Sequence, residues 1–144
     1  MPIADIGTAR EAIYAHFKAG WDAGSAASTL VLYESVANNR KPDKDDPYLK
    51  IMVRHNTGLQ ATLGTENNRR FEHQGTVRVE VYASAGRGYG DIDVLTRIAL
   101  DIFEGADTGL DRVTFRNVRA NEQGENGGRL VVLVLADFDY QRVR

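Results

Sequence analysis

FEHQGTVRVEVYASAGRGYGDIDVLTRIALDIF, residues Phe71 to Phe103, reads as a strand, a turn and a helix in one run. Val77, Val79, Val81 and Ala83 alternate with Thr76, Arg78, Glu80 and Tyr82. A period of two belongs to a strand with one face on a core and the other turned to water or a partner. Ser84-Ala85-Gly86-Arg87-Gly88-Tyr89-Gly90 stops that strand, because glycines favour turning and positive φ over ladder pairing. Ile92, Leu95, Ala99 and Ile102 then recur at helical spacing, and Asp93, Arg97, Asp101 and Glu104 fall on other faces. Asp91 is placed to cap this helix and Gly105 to terminate it.

Toward the amino terminus, Thr8-Ala9-Arg10-Glu11 has the spacing of a capping box and predicts a first helix. Ala9, Ile13, Phe17 and Trp21 form its apolar stripe, read as core, while Gly20 and Gly24 bracket its end. Ala19 to Ser28 is a small-residue connector, and Thr29 to Tyr33 a short buried strand. Ser35 to Pro47 is the most polar stretch and predicts a long loop, a length that in a compact domain is often functional. Tyr48 to His55 alternates as a strand; Leu59 to Leu63 either runs back beside it or continues it past a bulge. Gly64 to Arg70 is a polar turn into the central strand.

Toward the carboxyl terminus, Asp107 to Asp111 predicts a turn, Val113 and Phe115 a strand, and Asn121 to Gly128 another turn. From Leu130 to Tyr140 the even positions are apolar throughout, and Val131, Leu133 and Leu135 add apolar residues on the odd face. Such a strand lies either under a helix in the middle of a sheet or with its second face against another subunit.

The 144 residues suffice for one domain, 1–144, with a real core. With 42% hydrophobic and 26% charged residues the chain is an ordinary globular one, and a formal charge of -2 argues against a dedicated nucleic-acid binder. The absence of cysteine excludes disulfides, thiolate zinc sites and cysteine nucleophiles. Asp5, Arg10, Glu11 and Lys18 interrupt the stretch where an export signal would need apolar residues. Leu130 to Ala136, the longest strongly apolar run, falls far short of the roughly 20 residues of a spanning helix. A soluble protein is expected.

Tests for chemistry return little. Gly86-Arg87-Gly88-Tyr89-Gly90 sits between strand and helix, where a glycine loop can cradle a pyrophosphate, but the dinucleotide fingerprint needs glycine where Asp91 stands. A carboxylate there repels phosphate. Asp43, Asp45 and Asp46 invite a calcium reading, yet counting from Asp43 the required glycine and glutamate positions hold Tyr48 and Arg54. His16, His55 and His73 have no acidic neighbours at ligand spacing, and no G-x-S-x-G occurs, so neither a metal, a cofactor nor a catalytic residue is predicted. Asp137 and Asp139 share a strand face. Arg40-Lys41, Arg69-Arg70, Arg87 and Arg142 to Arg144 gather positive charge without interleaved aromatics, as surface or subunit-contact residues do.

The order of these elements resembles a known family. Gly64 through Arg69-Arg70 to Gly75 leads into Val77-Arg78-Val79-Glu80-Val81-Tyr82; Gly86-Arg87-Gly88-Tyr89-Gly90, a helix ending Ile102-Phe103 and a closing Asp137-Phe138-Asp139-Tyr140 follow. Together with the amphipathic first helix and polar loop, this is similar to the tail terminator family of long-tailed bacteriophages, in particular its small members in siphophages, prophages and gene transfer agents. The resemblance covers nearly the whole chain and rests on structural glycines and hydrophobic positions. It implies an α+β subunit, with a mixed, largely antiparallel sheet and two main helices packed against it. It implies a non-enzymatic homo-oligomer, a hexameric ring on the major tail tube protein at the head-proximal end of the virion tail, made in the host bacterial cytoplasm. Such a ring stops tube polymerisation, meets the head-tail connector or stopper protein, and lets DNA pass without specific binding. Candidate contacts with neighbouring subunits or the tube are Arg40, Lys41, Asp45, Asp46, Arg69, Arg70, Arg87 and Tyr89, and Asp137 and Asp139 are candidate lumen-facing acids. Alternatives are another head-tail joining or minor tail component, or a small nucleotide- or ligand-binding domain built on the glycine turn and Tyr89.

Overall fold

The computed structural model describes residues 5–24, 29–34, 46–60, 62–66, 69–86, 88–104 and 113–143. Its element order is α1 (Ile6–Ala23), β1 (Leu30–Tyr33), β2 (Tyr48–Gln60), β3 (Arg70–Ser84), α2 (Gly90–Phe103), β4 (Thr114–Asn126) and β5 (Arg129–Val143). The strands form one sheet in the order β1-β2-β3-β5-β4. β1 runs parallel to β2, and the pairs β2/β3, β3/β5 and β5/β4 are antiparallel. The fold is α+β, as the sequence resemblance implied.

β3 and β5 form the axis, paired without interruption from Arg70↔Val143 to Ser84↔Arg129. The valines that alternate along β3 meet Ala136, Val134 and Val132 of β5, so one face of both strands is apolar from Gly75 to Ala83. α2 carries the chain from β3 to β4 and packs on β3, β4 and β5; α1 packs beside it. Ile13, Phe17 and Trp21 of α1, Ile92, Ala99 and Phe103 of α2, and Leu49, Ile51, Val77, Val79, Val134 and Phe138 of the sheet close into one buried cluster. Each large side chain so buried contributes roughly 2 kcal/mol in apolar transfer.

Several boundaries differ from the sequence reading, each for a local reason. α1 begins before the Thr8-Glu11 box: Asp5 is its N-cap, and Asp5 Oδ1 accepts from Thr8 N at 2.7 Å and from Thr8 Oγ1 at 3.0 Å. Those bonds hold the Asp5 carboxyl below its usual range. Gly20 and Gly24 do bracket the end of α1, and α2 crosses closely at Gly20: a Cβ there would stand 2.9 Å from Ile102 Cγ1. The helix stops at Gly24, shortening the expected connector. In α2 the N-cap is Tyr89, which makes no side-chain cap bond; Asp91 sits in the first turn with Asp93, where negative charge complements the helix dipole.

β2 takes the second of its two foreseen forms, one strand continued past a bulge between His55 and Thr57. The expected turn over Asn121 to Gly128 shrinks to Gly127-Gly128, both at positive φ, and residues 121–126 extend β4. β4 is an outer strand with polar side chains mostly exposed on both faces, so its alternation is absent from the sequence. Gly105 and the Asp107 to Asp111 turn lie outside the described residues.

Candidate functional site: the helix-free face of the sheet

Both helices bury their stripes against the same side of the sheet. Among the described residues the opposite side carries no helix. Register fixes its rows: Tyr48, Tyr82 and Val131 align across β2, β3 and β5; Lys50, Glu80 and Leu133 form the next row; Met52, Arg78 and Leu135 the next; Arg54, Thr76 and Asp137 the last of these. The odd positions of β5 thus lay Val131, Leu133 and Leu135 along the middle of this face. Val131 is buried yet stands apart from the helix-side cluster, and Met52, Leu133 and Leu135 are half-buried.

One end of the strip is aromatic. The Tyr48 and Tyr82 rings stack at 4.5 Å between centroids, and the Arg129 guanidinium stands 4.9 Å over Tyr48. Arg129 Nη1 also donates to the Asp46 carbonyl at 2.7 Å. Tyr82 donates to Glu80, which Arg78 approaches at 3.3 Å. Burial first, then the Glu80 carboxylate, pushes the Tyr82 hydroxyl above its usual range, so this phenol stays neutral.

The other end is a charge-paired cluster. Arg116 Nη1 meets Asp139 Oδ2 at 2.7 Å and Arg119 Nη1 meets Asp137 Oδ1 at 3.5 Å. Asp137 also accepts from Asn117 Nδ2 at 3.0 Å and from Thr76 Oγ1 at 3.2 Å. Partial burial raises the Asp137 pKa, but the Asn117 bond, Arg119 and Thr76 outweigh it and leave the carboxyl below its ordinary value. Asn117 reaches Asp137 because β4 is bulged between Arg116 and Arg119, with Asn117 at φ 52°. Beside this cluster Arg54 holds Glu34 through both carboxylate oxygens, at 2.5 and 2.6 Å, which draws Glu34 down.

The sequence-predicted contacts do not converge on one spot. Arg69 and Arg70 lie at the end of the sheet where β3 begins. The Arg69 guanidinium stands 6.0 Å over the Phe71 ring, and Arg70 N donates to Thr62 Oγ1 at 2.9 Å. Asp46 and Tyr89 lie near the opposite end, Asp46 just before β2 and Tyr89, 48% exposed, before α2. Arg40, Lys41, Asp45 and Arg87 lie outside the described residues, as do most of the Ser35 to Pro47 stretch. Asp137 and Asp139 do share a face, but each has an arginine partner. Arg116, Arg119, Asn117 and Thr76 escaped the sequence reading, since only strand register brings them to the two carboxylates.

A separate cleft of about 550 Å³ opens between α2 and β4, lined by Asp93, Thr96, Asn121, Glu122 and Val132 among others. The Thr96 hydroxyl is buried there without a hydrogen-bond partner. Among the described residues no group of three or more His, Asp or Glu could hold a metal ion, and no helix is long and apolar enough to cross a membrane.

No protein-family model matches this chain, and no curated relative does. Among solved structures 11 chains match. One, a protein with no functional name, superposes with a TM-score of 0.62 over 94% of this chain and 97% of its own, at 15% identity. At that identity the likeness bears on the fold alone, and over nearly the full length of both.

Proposed function

We propose that this chain is a structural subunit of a phage tail, which assembles as a hexameric ring on the last ring of the tail tube, ends tube growth and offers a surface to the head connector. The observation that carries this reading is the helix-free sheet face, with Tyr48, Tyr82, Val131, Leu133 and Leu135 half-buried or buried in a strip that the helices leave alone. A strip of that kind suits contact with another subunit. The resemblance in element order and glycine placement supplies the identity of the assembly.

Placement of the charged contacts suits a stacked ring. Arg69 and Arg70 lie at one end of the sheet and Asp46 and Tyr89 near the other, so one set can meet the tube while the other meets the connector. Asp137 and Asp139 belong to the lumen side in this reading. Paired with Arg119 and Arg116, they give passing DNA no net positive charge to bind. Another head-tail joining or minor tail role would use the same surfaces in a different stoichiometry.

The deciding experiment is the solution mass by light scattering, alone and after mixing with tail-tube protein, with negative-stain images of the same peak. A six-subunit ring, free or formed on tube ends that then stop elongating, is the expected result. A monomer that leaves tube growth unchanged refutes the reading.

The α2/β4 cleft, with its unpartnered Thr96 hydroxyl, favours a second reading as a small-ligand domain. Asp93 and Glu122 at its walls disfavour phosphate, so a nucleotide is the wrong class of occupant. A thermal-shift screen with small polar and cationic ligands distinguishes this reading, since a ligand held by the folded state raises the melting temperature.

A further inference from the structure

Near the β2 bulge, on the helix side of the sheet, the rings of His55, His73 and Phe138 gather around Tyr140. His55 Nε2 lies 2.9 Å from Tyr140 Oη. His73 stacks on the Tyr140 ring at 5.2 Å between centroids, with planes 18° apart. His55 also meets Phe138 edge-on at 5.3 Å. The second ring nitrogen of His55, Nδ1, is buried and has no hydrogen-bond partner. From α1, Arg10 reaches the same corner, its Nη2 standing 3.5 Å from the Val53 carbonyl.

We infer that His55 ties the seating of the first turns of α1 on the sheet to pH, so that acidification loosens this corner while the α2 side of the core stays closed. The inference is independent of the ring reading. Whichever tautomer His55 starts from, the doubly protonated ring carries a buried Nδ1–H with no acceptor beside an Nε2–H that points at the Tyr140 oxygen, and its charge stands in apolar surroundings. The new charge would also face Arg10 from α1 and His73 from β3, while Asp5 of the α1 cap and Arg142 of β5 act on Tyr140. Burial first, then Arg10 and His73, holds the His55 pKa below 6.5 in the folded protein. A lowered folded value means the unfolded chain binds the proton more readily. The stability His55 contributes is therefore complete above the unfolded value and is lost as pH falls from there through the folded one.

The test is amide exchange read by mass spectrometry or NMR, corrected for intrinsic rates, together with the NMR titration of the His55 ring. Between pH of about 7.5 and about 5, protection over residues 9–13 and 53–55 is expected to fall about tenfold relative to residues 92–102. The His55 ring is expected to titrate below 6.5. His55→Gln keeps a polar partner for Tyr140 but does not titrate, and it is expected to remove the difference between the two segments. A His55 midpoint at or above 6.5, or an H55Q protein with the full pH response, overturns the inference. Should H55Q fail to fold, the wild-type titration decides alone.

Discussion

The two faces of the central sheet are built from the same strands and answer different demands. On the helix side, Val77, Val79, Val81, Val134, Ala136 and Phe138 are buried among Phe17, Trp21 and Phe103, Phe17 stacks on Trp21, and among the described residues no charged side chain is buried with them. On the other side the apolar residues are fewer and polar ones bridge over them: Glu80 holds Tyr82, and Arg119 holds Asp137. The first face makes the molecule fold; the second is the one for which subunit contact is proposed. A substitution should therefore act on stability or on assembly according to strand parity.

The largest effect is expected at Gly75, where the helix-side packing leaves no room. A Cβ there would stand 2.1 Å from the Arg54 carbonyl and 2.5 Å from Phe138 Cζ. Gly75→Val should cost about 4 kcal/mol or more, a large share of the roughly 5–15 kcal/mol that holds an ordinary domain folded, as urea unfolding followed by circular dichroism would report. Next is Phe17→Ala, which empties a fully buried ring site between Trp21 and Phe103. It should cost about 3–4 kcal/mol in urea unfolding. If the loss stayed under about 1 kcal/mol, the helix layer would be less tightly packed than described.

On the opposite face Leu133→Lys should change monomer stability by only about 1 kcal/mol, yet abolish ring formation in light scattering. Intact rings would break the division of labour between the faces. Asp137→Asn should have the smallest effect, under about 1 kcal/mol, because its ion pair is partly exposed. The Asp137 pKa is held below 3.8 in the fold, so its contribution is complete above about pH 4 and fades as pH falls further. The stability difference between wild type and D137N should accordingly narrow in acid, and a constant difference would remove Asp137 from the pH response.

How much of this could be read in the sequence follows from where each residue gets its environment. β3, β5 and the apolar stripes of both helices were legible, since a single face buried along a regular element writes its own period. β4 past Asn121 was not, because an outer strand exposed on both sides has no reason to alternate. Gly20 was legible as one bracket of the end of α1, but not as the crossing point of two helices, a fact held by Ile102 far along the chain. The Arg116–Asp139 and Arg119–Asp137 pairs depend on register and a bulge, neither of which any single stretch of sequence encodes. Of the predicted contact residues, Asp46, Arg69, Arg70 and Tyr89 are placed but separated, so the chemistry of the site had to come from the sheet face.

The irregularity of β4 has a bearing on solubility. β1 and β4 form the two rims of the sheet, and a long rim is an open template on which foreign strands can hydrogen-bond. β1 limits that hazard by being four residues long. β4 cannot, at 13 residues, but its register breaks twice, with Asn117 and Gly124 at positive φ. No straight strand can follow such a rim for more than a few residues, so the bulge that brings Asn117 to Asp137 also discourages runaway fibre growth.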